Sequence, residues 1–188
     1  MRCPWPETDA KMIKYHDEIW GVPVFDDTTL FAKLSLDLIQ AGLAWRTILH
    51  KWDNFCQAFE GFDIPTVAQY DESKYQSLMH NAGIVRNQLK IRAIINNAQR
   101  ILEVQKEFGS FSTYLWNFTD SKVIKNAFKS FEEWPSKTPL SDTISKDLLK
   151  RGFKFVGSTI IYAWMQAIGM VNDHLTSCFR YQQINSLT

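Results

Sequence analysis

The sequence predicts an all-α protein. Apolar residues recur at three- and four-residue steps along most of its 188 residues, and no stretch alternates as a half-buried strand would. Near the end of the chain, Gly152 and Gly157 bracket Phe153-Lys154-Phe155-Val156, with a helical pattern on either side. Such a turn presents backbone N–H groups beside a helix N-terminus and can hold a phosphate. Lys150, Arg151 and Lys154 add the charge that a polyanion contact needs. Taken alone, the same turn also reads as a plain helix connection with a C-cap glycine, and both readings stand at this point.

The elements follow in order. Residues up to Pro23 are dense in Cys3, Trp5, Tyr15, His16, Asp17 and Trp20, which suits an irregular arm with a short helix. Asp26 or Asp27 can cap a helix carrying Leu30, Leu34, Leu38 and Ala41 until Gly42 stops it. Asp37 falls on that apolar face, so it must be paired or border a cavity, because an isolated buried charge costs several kcal/mol. After Gly42-Leu43-Ala44, one helix is expected with the stripe Trp45, Ile48, Leu49, Trp52, Cys56 and Phe59. Gly61 to Pro65 reads as a turn, and two shorter helices carry Val67 and Ala68, then Tyr75, Leu78 and Met79. Asn87 caps the longest helix, which buries Ile91, Ile94, Ile95, Ala98, Ile101 and Leu102 and turns Lys90, Arg92 and Arg100 outward until Gly109. Phe111, Tyr114, Leu115 and Phe118 give a short helix, and Thr119 to Pro139 is expected to be a mobile loop. Ser141 then caps a helix that carries Ile144, Leu148 and Leu149 into the glycine-bracketed turn.

Composition narrows the function without fixing it. With 45% hydrophobic and 22% charged residues the chain is globular, and a formal charge of +1 leaves any nucleic-acid affinity to local patches. Seven tryptophans and thirteen phenylalanines exceed the needs of a core this size, so some rings are available for a pocket. The absence of a long apolar run or a signal-peptide pattern suggests a cytosolic protein with no membrane partner. Three cysteines argue against a disulfide framework and leave metal binding or burial.

Three blocks occur in series: Tyr15-His16-Asp17 with Trp20-Gly21-Val22-Pro23; Gln40-Ala41-Gly42-Leu43-Ala44-Trp45; and Lys150 through Gly157 followed by Val171-Asn172-Asp173-His174. This combination resembles the bacterial 3-methyladenine DNA glycosylase I family, a branch of the helix-hairpin-helix glycosylases, over nearly the whole chain. The resemblance implies a single domain over residues 1–188, with the helix-hairpin-helix at 141–169 and zinc-clasp segments at 1–22 and 170–188. It implies a monomeric, monofunctional enzyme that excises 3-methyladenine from alkylated double-stranded DNA in the bacterial cytoplasm, nucleoid-associated when on DNA, with no redox or nucleotide cofactor. The alternative is a weak or inactive homologue that only binds alkylated DNA.

Residue by residue, the family's zinc ligands match Cys3, His16, His174 and Cys178. The last two are four residues apart, a spacing that one helical turn could aim at a single point, and two thiolates with two imidazoles form a tetrahedral set suited to structural Zn²⁺. Cys56, His50 and His80 have no partner pattern and are read as packing or surface residues. Tyr15, Trp20 and Trp45 match the pocket aromatics, with Trp5 beside them. Leu43 matches the apolar wedge that fills the gap left by an extruded base. Gly152 through Gly157 match the DNA-gripping hairpin, with Lys154 a backbone contact. Asp37 stands where the family usually has a glutamate, one methylene longer, and Ala44 replaces its usual serine. Asn172 occupies the position where many related enzymes carry an aspartate; Asp173 is expected to orient His174 or cap a helix. No lysine is expected beside the pocket, which suits hydrolysis without a Schiff base.

Overall fold

Side-chain oxygens of Asp, Asn, Ser and Thr start most of the α-helices, each satisfying backbone N–H groups that the first turn leaves open. The computed structural model describes residues 1–187, so the segment expected at 170–188 runs one residue beyond them. Asp9 starts α1 (Ala10–Lys14), which continues into a wide π-helical turn, Tyr15–Ile19. Asp26 accepts from the Thr29 N–H at 2.8 Å and starts α2 (Asp27–Gln40). This helix is buried on nearly every side, because α10, α7, α3 and α8 all pack on it. Its burial therefore takes in Lys33, Ser35 and Asp37 as well as the leucine stripe.

The single helix expected from Trp45 to Phe59 is two, α3 (Trp45–His50) and α4 (Trp52–Ala58). They break at Lys51, whose N–H reaches back only three residues to Ile48 while its ammonium donates to the Gly83 carbonyl at 3.1 Å. Asp63 and Asp71 cap α5 (Ile64–Ala68) and α6 (Glu72–His80), and Asn87 caps the long α7 (Gln88–Phe108), which ends at Gly109 as expected. Lys90 corrects the sequence reading. It is buried, and its ammonium donates to the carbonyls of Ile39 at 2.8 Å and Ala41 at 2.5 Å, closing the C-terminus of α2 with a positive charge.

α8 (Phe111–Trp116) follows, capped by Ser110 and by Asp27, which accepts from the Phe111 and Ser112 N–H groups. The segment expected to be a mobile loop instead pairs β1 (Ile124–Lys125) in parallel with β2 (Val171–Asn172), a non-local pairing with no alternation to betray it. Thr138, not Ser141, caps α9 (Pro139–Lys150); Ser141 is the third residue of the helix and completes a reciprocal capping box. Leu149, expected inside, is 52% exposed at the end of that helix. After the turn come α10 (Ser158–Ala167), β2, and α11 (Phe179–Asn185). Gly169, at φ +69°, lets the chain after α10 touch the N-terminal arm: a Cβ there would lie 2.4 Å from the Val22 carbonyl carbon.

Replacing Lys90 with Met keeps the stem and leaves two carbonyls without their donor. We expect about 2 kcal/mol of destabilisation from the lost charge-assisted bonds, read as a lower urea midpoint with unchanged slope; an unchanged midpoint would show that water replaces the ammonium.

Candidate active site and metal centre

The arm, the C-terminal half of α2, the start of α3 and the face of α10 line an open cavity of about 210 Å³. Trp5, Tyr15, Trp20, Asp37 and Trp45 all line it. The rings hold one another: Trp5 lies edge to face with Trp20 at 5.5 Å, and Tyr15 lies tilted against Trp45 at 5.2 Å. Sequence reasoning missed Trp134, Gln40, Ala163, Gln166 and Ala167 in the same wall. Trp134 stacks on Trp20 at 5.5 Å and comes from the weakly periodic segment, where a tryptophan before a proline was the only signal. Three indole N–H groups, on Trp5, Trp45 and Trp134, are buried without a hydrogen-bond partner among the described residues.

Asp37 sits 6% exposed on this wall, and its Oδ2 is buried with no hydrogen-bond partner. Burial raises its pKa to about 8, only partly opposed by Lys33 one turn earlier. Lys33 overturns the expectation that no lysine stands near the pocket. Its ammonium is buried 5.7 Å over the Tyr15 ring and donates to the Ala167 carbonyl at 2.8 Å. Burial lowers the Lys33 pKa to about 8 against the opposing pull of Asp37. The amine is thus tied to backbone behind the pocket, and the carboxyl oxygen is left facing unfilled polar demand. Tyr15, fully enclosed, keeps its phenol proton because burial and the nearby acid both disfavour phenolate.

On the far side of Tyr15, the next residue joins a second site. Cys3, His16, His174 and Cys178 are all buried, and one ligand atom from each lies within 4.8 Å of all the others. The S···N separations are 3.8 Å for Cys3 and His174, 3.5 Å for Cys178 and His16, and 3.7 Å for Cys178 and His174. A tetrahedral metal with S and N ligands at ordinary distances gives an edge of about 3.6 Å, so the set fits one. His16 is oriented through Nδ1 by Asp17 at 2.7 Å, which leaves Nε2 for the cluster, and Arg2 grips Asp17 from outside. His174 is held through Nε2 by the Trp20 carbonyl at 3.2 Å, which leaves Nδ1. Such outer partners fix tautomer and direction. Hydrogen bonding from Cys3 holds the Cys178 thiol far below its usual pKa, and the Cys3 thiol is raised correspondingly.

Two expectations about this region change. His174 and Cys178 are brought together by a non-helical turn in which the Cys178 N–H meets the Leu175 carbonyl at 2.7 Å. Asp173 neither orients His174 nor caps a helix; it accepts from Asn126, Tyr162 and Gln166. Asn172 is buried and donates to Tyr181 and Asn185, tying down α11. His50 pairs with Asp9 at the surface, Cys56 is half-buried, and His80 bonds its own helix.

The turn from α9 to α10 has Gly152 at φ +88° and Phe155 at φ +55°. Asn96 and Asn97 of α7, unremarked in the sequence, anchor it: Asn96 donates to the Gly152 carbonyl, and Asn97 bonds both the N–H and the carbonyl of Lys154. The Lys154 side chain is exposed, and no side chain caps α10 after Gly157. Leu43, 38% exposed, stands in the turn between pocket residues Gln40 and Trp45, and Gln40 donates to its carbonyl at 2.7 Å. No helix among the described residues is long and apolar enough to cross a membrane.

A helical frame with an aromatic-walled cavity, a buried acid and an anchored inter-helix turn defines the class: a base-excising glycosylase. The methyladenine glycosylase family model matches residues 5–181, and the chain belongs to that family. It is 42% identical over 180 residues to Escherichia coli DNA-3-methyladenine glycosylase 1, spanning 96% of each protein. It is 41% identical to the Haemophilus influenzae DNA-3-methyladenine glycosylase, over 94% of this chain and 96% of that one. Among solved structures, a 3-methyladenine DNA glycosylase I superposes with a TM-score of 0.92 at 44% identity, covering 95% and 98% of the two chains. The Staphylococcus aureus enzyme, studied for its 3-methyladenine recognition, also gives 0.92 at 33% identity and 95% coverage of both.

The raised Asp37 pKa makes a stability prediction. A carboxyl that titrates near 8 when folded and near its ordinary 3.8 when unfolded contributes stability below pH 4 that is lost as pH rises through 8. Below about pH 7 Lys33 stays charged in both states, so it adds no slope there. Asp37→Asn should therefore gain stability relative to the parent between pH 5 and pH 7 in denaturant titrations; parallel curves would place the Asp37 carboxyl at its ordinary pKa.

Proposed function

We propose that this chain hydrolyses the N-glycosidic bond of 3-methyladenine in alkylated double-stranded DNA, and that Asp37 is its pocket acid. The observation that carries the reading is the Asp37 Oδ2, buried and without a hydrogen-bond partner on the wall of a cavity built from aromatic rings. A base inside a duplex must be extruded before any protein group can reach it. In 3-methyladenine the ring is already cationic, so it leaves readily and is drawn to indole and phenol faces, each contact being worth roughly 0.5–2 kcal/mol when desolvated. Trp5, Tyr15, Trp20 and Trp45 supply those faces, and Asp37 supplies the one carboxyl. Hydrolysis is favoured over amine attack because the Lys33 ammonium is held by the Ala167 carbonyl and buried beneath the wall.

Leu43 is the wedge that fills the space left in the duplex. The segment from Gly152 to Gly157 is the hairpin of a helix-hairpin-helix, with the uncapped start of α10 and the exposed Lys154 directed to the phosphates. Cys3, His16, His174 and Cys178 hold a structural Zn²⁺; a closed set of two thiolates and two imidazoles leaves no open coordination position. Bound there, the ion supplies cross-linking of the two chain ends rather than chemistry. All of these groups come from one chain, which supports action as a monomer.

The test is release of free 3-methyladenine from methylated duplex DNA. Asp37→Asn should lower the single-turnover release rate by about a hundredfold or more with metal content unchanged; full activity would remove this acid from the mechanism, and DNA binding without release by the parent would make it a binder. Asp37→Glu should raise the rate if reach is limiting. Stripping the metal with a strong chelator should lower the thermal midpoint and quench the tryptophan ordering of the pocket, both restored by Zn²⁺; an unshifted midpoint after verified metal loss would contradict the clasp.

A further inference from the structure

One polar group on the cavity wall has its orientation imposed from behind. Gln166 of α10 lines the cavity, and its Nε2 donates to the Asp173 Oδ2 at 2.8 Å. Asp173 is 1% exposed and surrounded by donors: the Tyr162 hydroxyl at 2.5 Å on the same oxygen, and the Asn126 Nδ2 at 2.7 Å on the other. A carboxylate among three donors only accepts, so the amide of Gln166 must turn its NH₂ toward Asp173. Its carbonyl oxygen is thereby left on the opposite side, and it has no partner among the described residues. Gln40, the other amide in the wall, is held by the Leu43 carbonyl in an exposed turn, where water competes for it.

Resting on the reading of the cavity as a 3-methyladenine site, we infer that Gln166 is a specificity residue, with Asp173 as its positioning residue, and that the locked amide admits a purine amino edge and rejects a purine carbonyl. At the position where adenine carries an N6 amino donor, guanine carries the O6 acceptor. A fixed carbonyl oxygen bonds the first and repels the second. The other polar groups of the wall do not make this distinction: the indole N–H groups of Trp5, Trp45 and Trp134 are donors, and Asp37 can donate or accept according to its proton.

The experiment measures release of 3-methyladenine and 3-methylguanine from the same methylated DNA, with bound metal assayed in every variant because Asp173 adjoins His174. Gln166→Leu should lower the adenine-to-guanine ratio of kcat/KM about tenfold, through loss on the adenine side. Asp173→Asn can turn its own NH₂ to Gln166 and free that amide to flip, so the ratio should fall through a gain on the guanine side, at unchanged metal content. A ratio unmoved in Gln166→Leu, with both lesions slowed alike, overturns the assignment even if Asp173→Asn fails to fold. If the parent releases no 3-methyladenine, the underlying reading fails and takes this inference with it; parent activity with an unmoved ratio sinks the inference alone.

Discussion

A carboxyl group held out of water without a partner is the constraint around which this molecule is arranged. Asp37 sits on a helix buried nearly all round, where an unmatched polar atom costs on the order of 1–3 kcal/mol. That cost is tolerable because α2 is fixed at both ends by other elements. Asp26 caps its start, the Lys90 ammonium closes its end, and Phe31, Leu34 and Leu38 anchor its middle in the core. The acid is therefore held on the cavity wall by a helix that carries much of the core.

The walls of the pocket have the opposite problem. Trp5, Tyr15 and Trp20 belong to an arm with only small apolar clusters of its own, too little to fix three large rings. The buried Cys and His side chains supply what apolar area does not. His16 follows Tyr15 directly, and His174 is held by the carbonyl of Trp20, so the ligand cluster and the aromatic wall share backbone. Gly169 adds a second clamp where only a glycine admits the arm against the chain after α10. A group that reads as a remote metal centre is in this way part of the pocket's scaffold.

What the sequence revealed and what it concealed divide along the range of the interactions. Caps at Asp26, Asn87 and Gly109, the buried face of α2 and the four-residue Cys/His set were legible because each depends on local pattern or on whole-family motifs. Lys90 read as a surface base and Lys33 went unremarked, since lysine is almost never fully buried and their carbonyl partners lie 51 and 134 residues away. Trp134 and the pairing of β1 with β2 were hidden for the same reason: the segment has little periodicity, and its order comes from Trp20, Asp173 and β2. The break at Lys51 had a subtler cause, because the apolar stripe continues across it and only the Gly83 carbonyl shows why the helix turns.

On the proposed reading of Asp37 as the pocket acid, its burial gives an aromatic pocket a way to prefer a charged, damaged purine. With a pKa of about 8, Asp37 is mostly protonated at neutral pH, and ionising it at pH 7 costs about 1.4 kcal/mol. An undamaged, neutral adenine offers no charge to offset that cost, so it meets a neutral acid and rings that gain little from it. A cationic methylated base would stabilise the carboxylate directly, and that attraction acts against the cost of ionisation. Burial sets that cost, and Lys33 offsets only part of it, because its ammonium is bonded to the Ala167 carbonyl and not to Asp37.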